Sequence, residues 1–451
     1  MKTFKNGNSF WIISIFFCMS IFFQSYFVDR GNFLSLLFFF IIDFLAYYFI
    51  IQTENIDSKK ILRLTIVLHL IPMFALPSLS NDFYRFLWDG ELLNQGINPY
   101  DFKPNELIWK QGFINSTYYE ELYAGMGNLS QENYSCYPVV NQFYFYLATF
   151  FSENIFLNTV ILRLLILATL FFGFIYLEKL LILTKIESSK KYLFFLNPLL
   201  IIEVSQNLHF EGVMLSFFIM GIYFISQTNF LQAIGIGSFF LMLSIQIKLI
   251  PLMLLPFILR FSGWKKTIFI WGFTLLFTIF ISIILIHPSN YLNFTQSISL
   301  YFRQFEFNSF ILYWYIQYGE WKCGYNRIQT FGPYLSRIAI EFLIIFAWLG
   351  NNFSLKKMFT RMFFAMIVYY FLSSTVHPWY LLTPLLLSIF TSYKFILVWS
   401  FLVLLSYISY TTIDSSSLRF IFLLEYLIVF GCFVYEIIMK YHFFDKNLKK
   451  I

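Results

Sequence analysis

Apolar runs long enough to cross a bilayer follow one another along almost the whole chain, from Phe10–Phe27 to Leu418–Met439. A hydrocarbon core takes about 20 apolar residues of helix, and backbone in lipid must find its hydrogen bonds within the protein. Such a chain folds as a bundle of helices. Composition agrees, since 59% of the 451 residues are hydrophobic and only 12% charged, against about 25% charged in a water-soluble domain. A soluble enzyme is excluded. The net charge of +7 would suggest nucleic acid in a soluble protein, but here the Lys and Arg fall in short loops, as they do on the cytoplasmic side of membrane proteins.

Span lengths and loop charges together predict an all-α polytopic protein of about 12–14 transmembrane helices, counted most simply as about 14. Lys2 and Lys5 place the N-terminus inside, Lys59, Lys60 and Arg63 mark an inner loop, and Lys446, Lys449 and Lys450 bring the C-terminus back inside. The first run has the basic start of a signal peptide but no small-residue cleavage site, so it reads as a retained helix. One transmembrane domain covers 1–451, with a large first extracytoplasmic loop at 80–154 carrying amphipathic helices and a second outer interval at 287–335. Tyr137–Phe151 reads as a helix lying at the surface. Abundant Phe and Tyr, 63 and 31 residues, suit an AT-rich bacterial genome, and the expected location is a bacterial inner membrane with both termini cytoplasmic. Of the four cysteines, Cys136 and Cys323 fall in outer intervals, which leaves a disulfide between them open.

The longest polar interval, Ser80–Gln142, begins S-N-D-F-Y-R-F-L-W-D-G-E-L-L-N-Q-G-I-N-P-Y. Ser80 or Asn81 can cap a helix over about Asp82–Asn94, and Gly96 can end it. Steps of three and four place Asp82, Arg85 and Asp89 on one helix face. Two carboxylates around a guanidinium can keep one acid ionised as a general base. The same residues read equally well as a solvated surface ion pair.

Three further polar patches share the predicted outer side: C-Y-P-V-V-N-Q at 136–142, N-L-H-F-E-G at 207–212 and V-H-P-W-Y-L at 376–381. The set, with G-I-N-P-Y after the first acidic stretch, resembles the GT-C superfamily of integral-membrane glycosyltransferases, and within it the bacterial mannosyltransferase-like members that use polyprenyl-phosphate sugars. The resemblance runs from about Ser80 to Leu381. Y-P-V stands in place of Y-P-P at Tyr137–Val139, and Glu211 stands where Asp is commoner. The resemblance implies transfer of a hexose, mannose by analogy, from a polyprenyl-phosphate donor to a glycan or lipid acceptor, with inversion. It also implies that Tyr137 and Gln142 help to shape the site. Membrane lipids are the expected surroundings, and no nucleic acid partner is expected.

Such a transfer needs a carboxylate to take the acceptor proton, cations for the departing phosphate and aromatic walls for the sugar. Asp82 is the expected base and Asp89 the second choice, with Arg85 pairing and orienting them. Lys248, His377 and Arg303 are candidates for the phosphate, although a lysine at a helix end also snorkels to headgroups. Trp88, Tyr100, Trp379 and Tyr380 can line the sugar or lipid groove, or belong to the interfacial aromatic belt. His209 and Glu211 can hold the acceptor sugar. Two residues are few for a metal site, so no cofactor is assigned and a divalent metal stays open. The competing class is a transporter or flippase of a lipid-linked sugar, which should place its polar residues near the bilayer midplane.

Two ionisable residues lie away from these patches. At ~1.5 Å per residue, Asp43 and His69 sit level on neighbouring spans, roughly 12 Å from the inner loop. A pair across the hairpin or a neutral Asp would relieve the cost of burial, unless rotation about each helix points the two apart.

Overall fold

The computed structural model describes residues 7–53, 56–110, 112–113, 116–303, 305–325, 327–350, 353–413 and 415–438, and these are helical with no strand beyond one parallel bridge between Phe307 and Thr375. Six helices among the described residues are long and apolar enough to cross a membrane: Ser9–Phe27, Phe33–Gln52, Ile155–Leu183, Trp264–Ser282, Ile328–Trp348 and Ser417–Ile438. Pro198–Gln206 and Glu211–Ile225 make a seventh, broken by a 109° bend. Several of the other apolar runs are shorter helices, among them Gln232–Ile245, Ile250–Ser262 and Phe395–Tyr410. The sequence reading of about 12–14 spans rests on apolar runs, which mark burial in lipid or in protein, and such a run need not be one straight helix. Ile61–Leu79 shows this: its helix stops at Leu70, and Pro72 sits at the start of a tight 3₁₀ turn, Ile71–Phe74.

Broken helices free backbone carbonyls, and one residue collects those of two breaks. Arg163, fully buried in the Ile155–Leu183 helix, donates from Nη1 to Met73 O at 2.6 Å and from Nη2 to Ala75 O at 2.7 Å. It also donates from Nε to Ser205 O at 2.7 Å and from Nη2 to Gln206 O at 3.1 Å. Nothing in the apolar run around it announces this. Non-helical backbone is tolerated in a membrane protein when buried groups satisfy it, and Asn207 adds to the same joint by accepting from the Leu79 N–H at 3.1 Å.

The Asp82–Asn94 helix has the limits expected from the sequence. Ser80 Oγ accepts from the Asp82 N–H at 3.2 Å, and Gly96 follows the helix with φ +73°. Its surroundings differ from a solvated helix: Phe83 and Arg85 to Leu92 are buried. Gly90 allows the close approach to Val139–Thr149, since a Cβ there would meet the Phe145 carbonyl.

Of the outcomes left open for Asp43 and His69, an ion pair does not form. His69 Nδ1 lies 2.6 Å from Ser205 Oγ and Nε2 2.9 Å from Phe195 O, while Asp43 has the Ser20 hydroxyl of the preceding helix beside it. Equal depth fixed height and left rotation free. Neither Cys136 nor Cys323 is in a disulfide, so the bond left open by the sequence is not made.

Candidate active site

The three residues placed on one helix face divide between two clusters. Arg85 turns inward and donates from Nε to Asp89 Oδ1 at 2.7 Å, with Nη1 donating to Ser130 O at 2.5 Å and Asn133 O at 3.0 Å. Asp89 Oδ2 accepts from Ser135 Oγ at 2.5 Å and from Gln142 Nε2 at 3.0 Å. This is a closed buried network that fastens the Asp82–Asn94 helix to the segments after Ser130. Asp89 has no exposed surface.

Asp82, about two turns nearer the N-terminus than Asp89, meets a different set of side chains. Its Oδ2 lies 4.0 Å from His209 Nδ1. The far edge of that ring, Nε2, lies 3.6 Å from Glu203 Oε2. Glu211 Oε1 accepts from Lys248 Nζ at 2.5 Å, and the Lys248 ammonium stands 5.9 Å over the Tyr380 ring. Of these carboxylates only Asp82 is open, at 41% of its side-chain surface, while Glu203 and Glu211 show none. The Asp82 carboxyl nonetheless has protein closely around it. Burial pushes its pKa above the usual carboxylate range; Lys248 and Arg30 pull it back and Glu211 adds to the rise.

His209 is positioned by the break in the helix. Leu208 takes φ +63°, which a branched side chain adopts only where its surroundings enforce it. The His209 N–H donates to Glu203 O at 2.9 Å. The ring stacks on Trp379, centroids 3.6 Å apart, and His377 stacks on the same indole at 4.3 Å. The Phe307–Thr375 bridge brings the second predicted interval here, setting Phe307 against His377 at 4.5 Å.

The structure thus gathers Asp82, His209, Glu211, Lys248, His377, Trp379 and Tyr380. It does not gather all the expected aromatic walls. Trp88 is packed among Phe113 and Tyr119, and Tyr100 is buried with its hydroxyl donating to Tyr137 O at 2.6 Å. Tyr137 itself packs edge-on against Phe86 and Phe145. Aromatic side chains next to a polar motif read as sugar platforms, yet here their apolar area closes the loop onto the helices. Trp379 is also covered, so of the four expected aromatics only Tyr380 is half-buried and not fully covered. Burial first and Lys248 second push the pKa of His377 down to about 3. Arg303 ends the Tyr291–Arg303 helix, and its side chain lies outside the described residues.

Sequence reasoning missed Glu203, Tyr407 and Arg30. Tyr407 Oη donates to Glu203 Oε1 at 2.8 Å, and Arg30 sits over the Tyr410 ring at 4.9 Å. A carboxylate inside I-I-E-V-S-Q was the available signal, since an ionisable residue inside a span is itself a functional hint. Among the described residues no three His, Cys, Asp or Glu side chains converge as metal ligands, and Glu211 is taken up by Lys248.

A family model described as Alpha-(1->6)-mannopyranosyltransferase, N-terminal domain, matches residues 28–262, just over half of the chain. That stretch contains Asp82, Glu203, His209, Glu211 and Lys248. No curated protein and no solved structure matches the chain. With the helical membrane architecture, the match identifies the chain as a member of the MptA_B alpha-(1->6)-mannopyranosyltransferase family, a glycosyltransferase of the mannose-transferring GT-C type.

Proposed function

We propose that the protein transfers a mannosyl residue from a polyprenyl-phosphate donor to a mannose-containing glycan or glycolipid at the extracytoplasmic membrane face, with Asp82 as general base. The observation that carries this reading is Asp82 itself, the one open carboxylate in a cluster otherwise closed, with a lysine within its field. The acceptor hydroxyl gives its proton to Asp82 as its oxygen attacks the anomeric carbon, and the bond from that carbon to the phosphate oxygen breaks. One displacement inverts the anomeric centre. Lys248 supplies the charge that the departing phosphate needs, Arg30 stands near enough to share it, and His377 contributes a hydrogen bond. Tyr380 offers the sugar an aromatic face beside Lys248.

The test is transfer of radiolabelled mannose by purified protein from a panel of donors, polyprenyl-phosphate mannose beside nucleotide-linked mannose, to a synthetic octyl α-(1→6)-dimannoside. Product from the lipid donor alone supports the reading. No product from any donor, with protein-dependent movement of the lipid donor across liposomes, would replace it with the transporter.

A further inference from the structure

Behind Asp82 lies a second carboxylate that the displacement above does not use. Glu203 belongs to the π-helical turn Ile201–Gln206 and has no exposed surface. Its Oε1 accepts from Tyr407 Oη, whereas Oε2 and His209 Nε2 are both without a hydrogen-bond partner and face each other at 3.6 Å. Two such buried atoms are costly unless a proton passes between them. If packing were the only need, an apolar side chain would serve this position at least as well. A π turn is itself a feature that recurs at functional sites.

We propose that Glu203 is a positioning residue for the base: it holds His209 with the proton on Nε2 and receives that proton when Asp82 passes the acceptor's proton to Nδ1. The inference rests on Asp82 being the base. The acceptor oxygen loses one proton to Asp82, Asp82 gives it to His209 Nδ1, and the Nε2 proton moves to Glu203. Asp82 ends ionised, His209 neutral and Glu203 protonated, with Tyr407 donating to Oε1 throughout. After product leaves, the reverse sequence returns the proton to water through Asp82. Other charged or titratable groups face this chain: Lys248 and His377 towards His209, Glu211 towards Glu203, and Arg30 and Tyr410 towards Asp82. Arg163 and His69 reach the same turn through Ser205. None of them bridges the two unpartnered atoms.

The experiment follows mannose transfer from polyprenyl-phosphate mannose over pH with the full chain in detergent, for wild type, Glu203→Gln, Glu203→Asp, Tyr407→Phe and Asp82→Asn. Glu203→Gln should lower kcat about a hundredfold at unchanged donor KM and move the acidic limb to lower pH, because the ionisation of Glu203 no longer enters it. Glu203→Asp should restore the limb. Tyr407→Phe should move it to higher pH, since the carboxylate loses a donor. Wild-type kcat and pH profile in Glu203→Gln would overturn the inference while leaving Asp82 in place. Substantial turnover in Asp82→Asn would overturn the base and this inference together. If Glu203→Gln does not fold, Tyr407→Phe decides, and an unmoved limb there overturns the inference.

Discussion

The imidazole of His209 lies flat against the indole of Trp379, centroids 3.6 Å apart and planes 20° apart. Because His377 stacks on the same indole, one side chain fixes both imidazoles. Trp379→Phe keeps a stacking face and should lower kcat about threefold to tenfold, the worth of an aromatic pair. Trp379→Ala should cost about 3 kcal/mol or more of stability as a buried truncation, and turnover should fall further than in Trp379→Phe. Thermal unfolding and kcat of the two purified variants check this.

Beside the Glu203 contribution, the pH dependence carries that of Asp82 and its neighbours. A base must be ionised, and burial raises its pKa, so activity should fall on acidification with a midpoint above the ordinary value of 3.8. Lys248→Met removes a cation that lowers this pKa and should move the limb to higher pH. Glu211→Gln removes an anion that raises it and should move the limb to lower pH. The midpoint of the kcat profile is the readout, whatever happens to its height.

Asp89 should behave unlike Asp82. Asp89→Asn leaves the buried Arg85 guanidinium without its carboxylate, which costs about 3–5 kcal/mol in such networks. Lower unfolding temperature with little loss of kcat in the folded fraction is the expected result. Normal stability with lost turnover would move Asp89 into the chemistry.

Arg163→Lys should not rescue the joint between the two broken helices, because one ammonium cannot reproduce a fork that serves four carbonyls. Both Arg163→Lys and Arg163→Met should lower the unfolding temperature, the methionine variant more. Unfolding followed by tryptophan fluorescence measures the difference.

Local signals in the sequence were reliable where a single element decides the outcome. Ser80 and Gly96 mark the ends of the Asp82–Asn94 helix because cap chemistry acts over a few residues. The H-P-W-Y and N-L-H-F-E-G patches do meet at one cluster. What the sequence did not show depends on rotation and on distant partners: Arg85 choosing Asp89 over Asp82, His69 choosing Ser205 over Asp43, and Trp88 closing a loop instead of facing a sugar. Glu203 was hidden by its apolar neighbours, and its meaning needs Tyr407, 204 positions away.

Whether Asp82 takes the acceptor proton is measured by mannose transfer by Asp82→Asn from polyprenyl-phosphate mannose at saturating acceptor. The substitution keeps the shape and removes the proton acceptor. The account predicts kcat at least about a hundredfold lower, with donor affinity and unfolding temperature close to wild type. Turnover near wild type in a folded, donor-binding Asp82→Asn protein would contradict it.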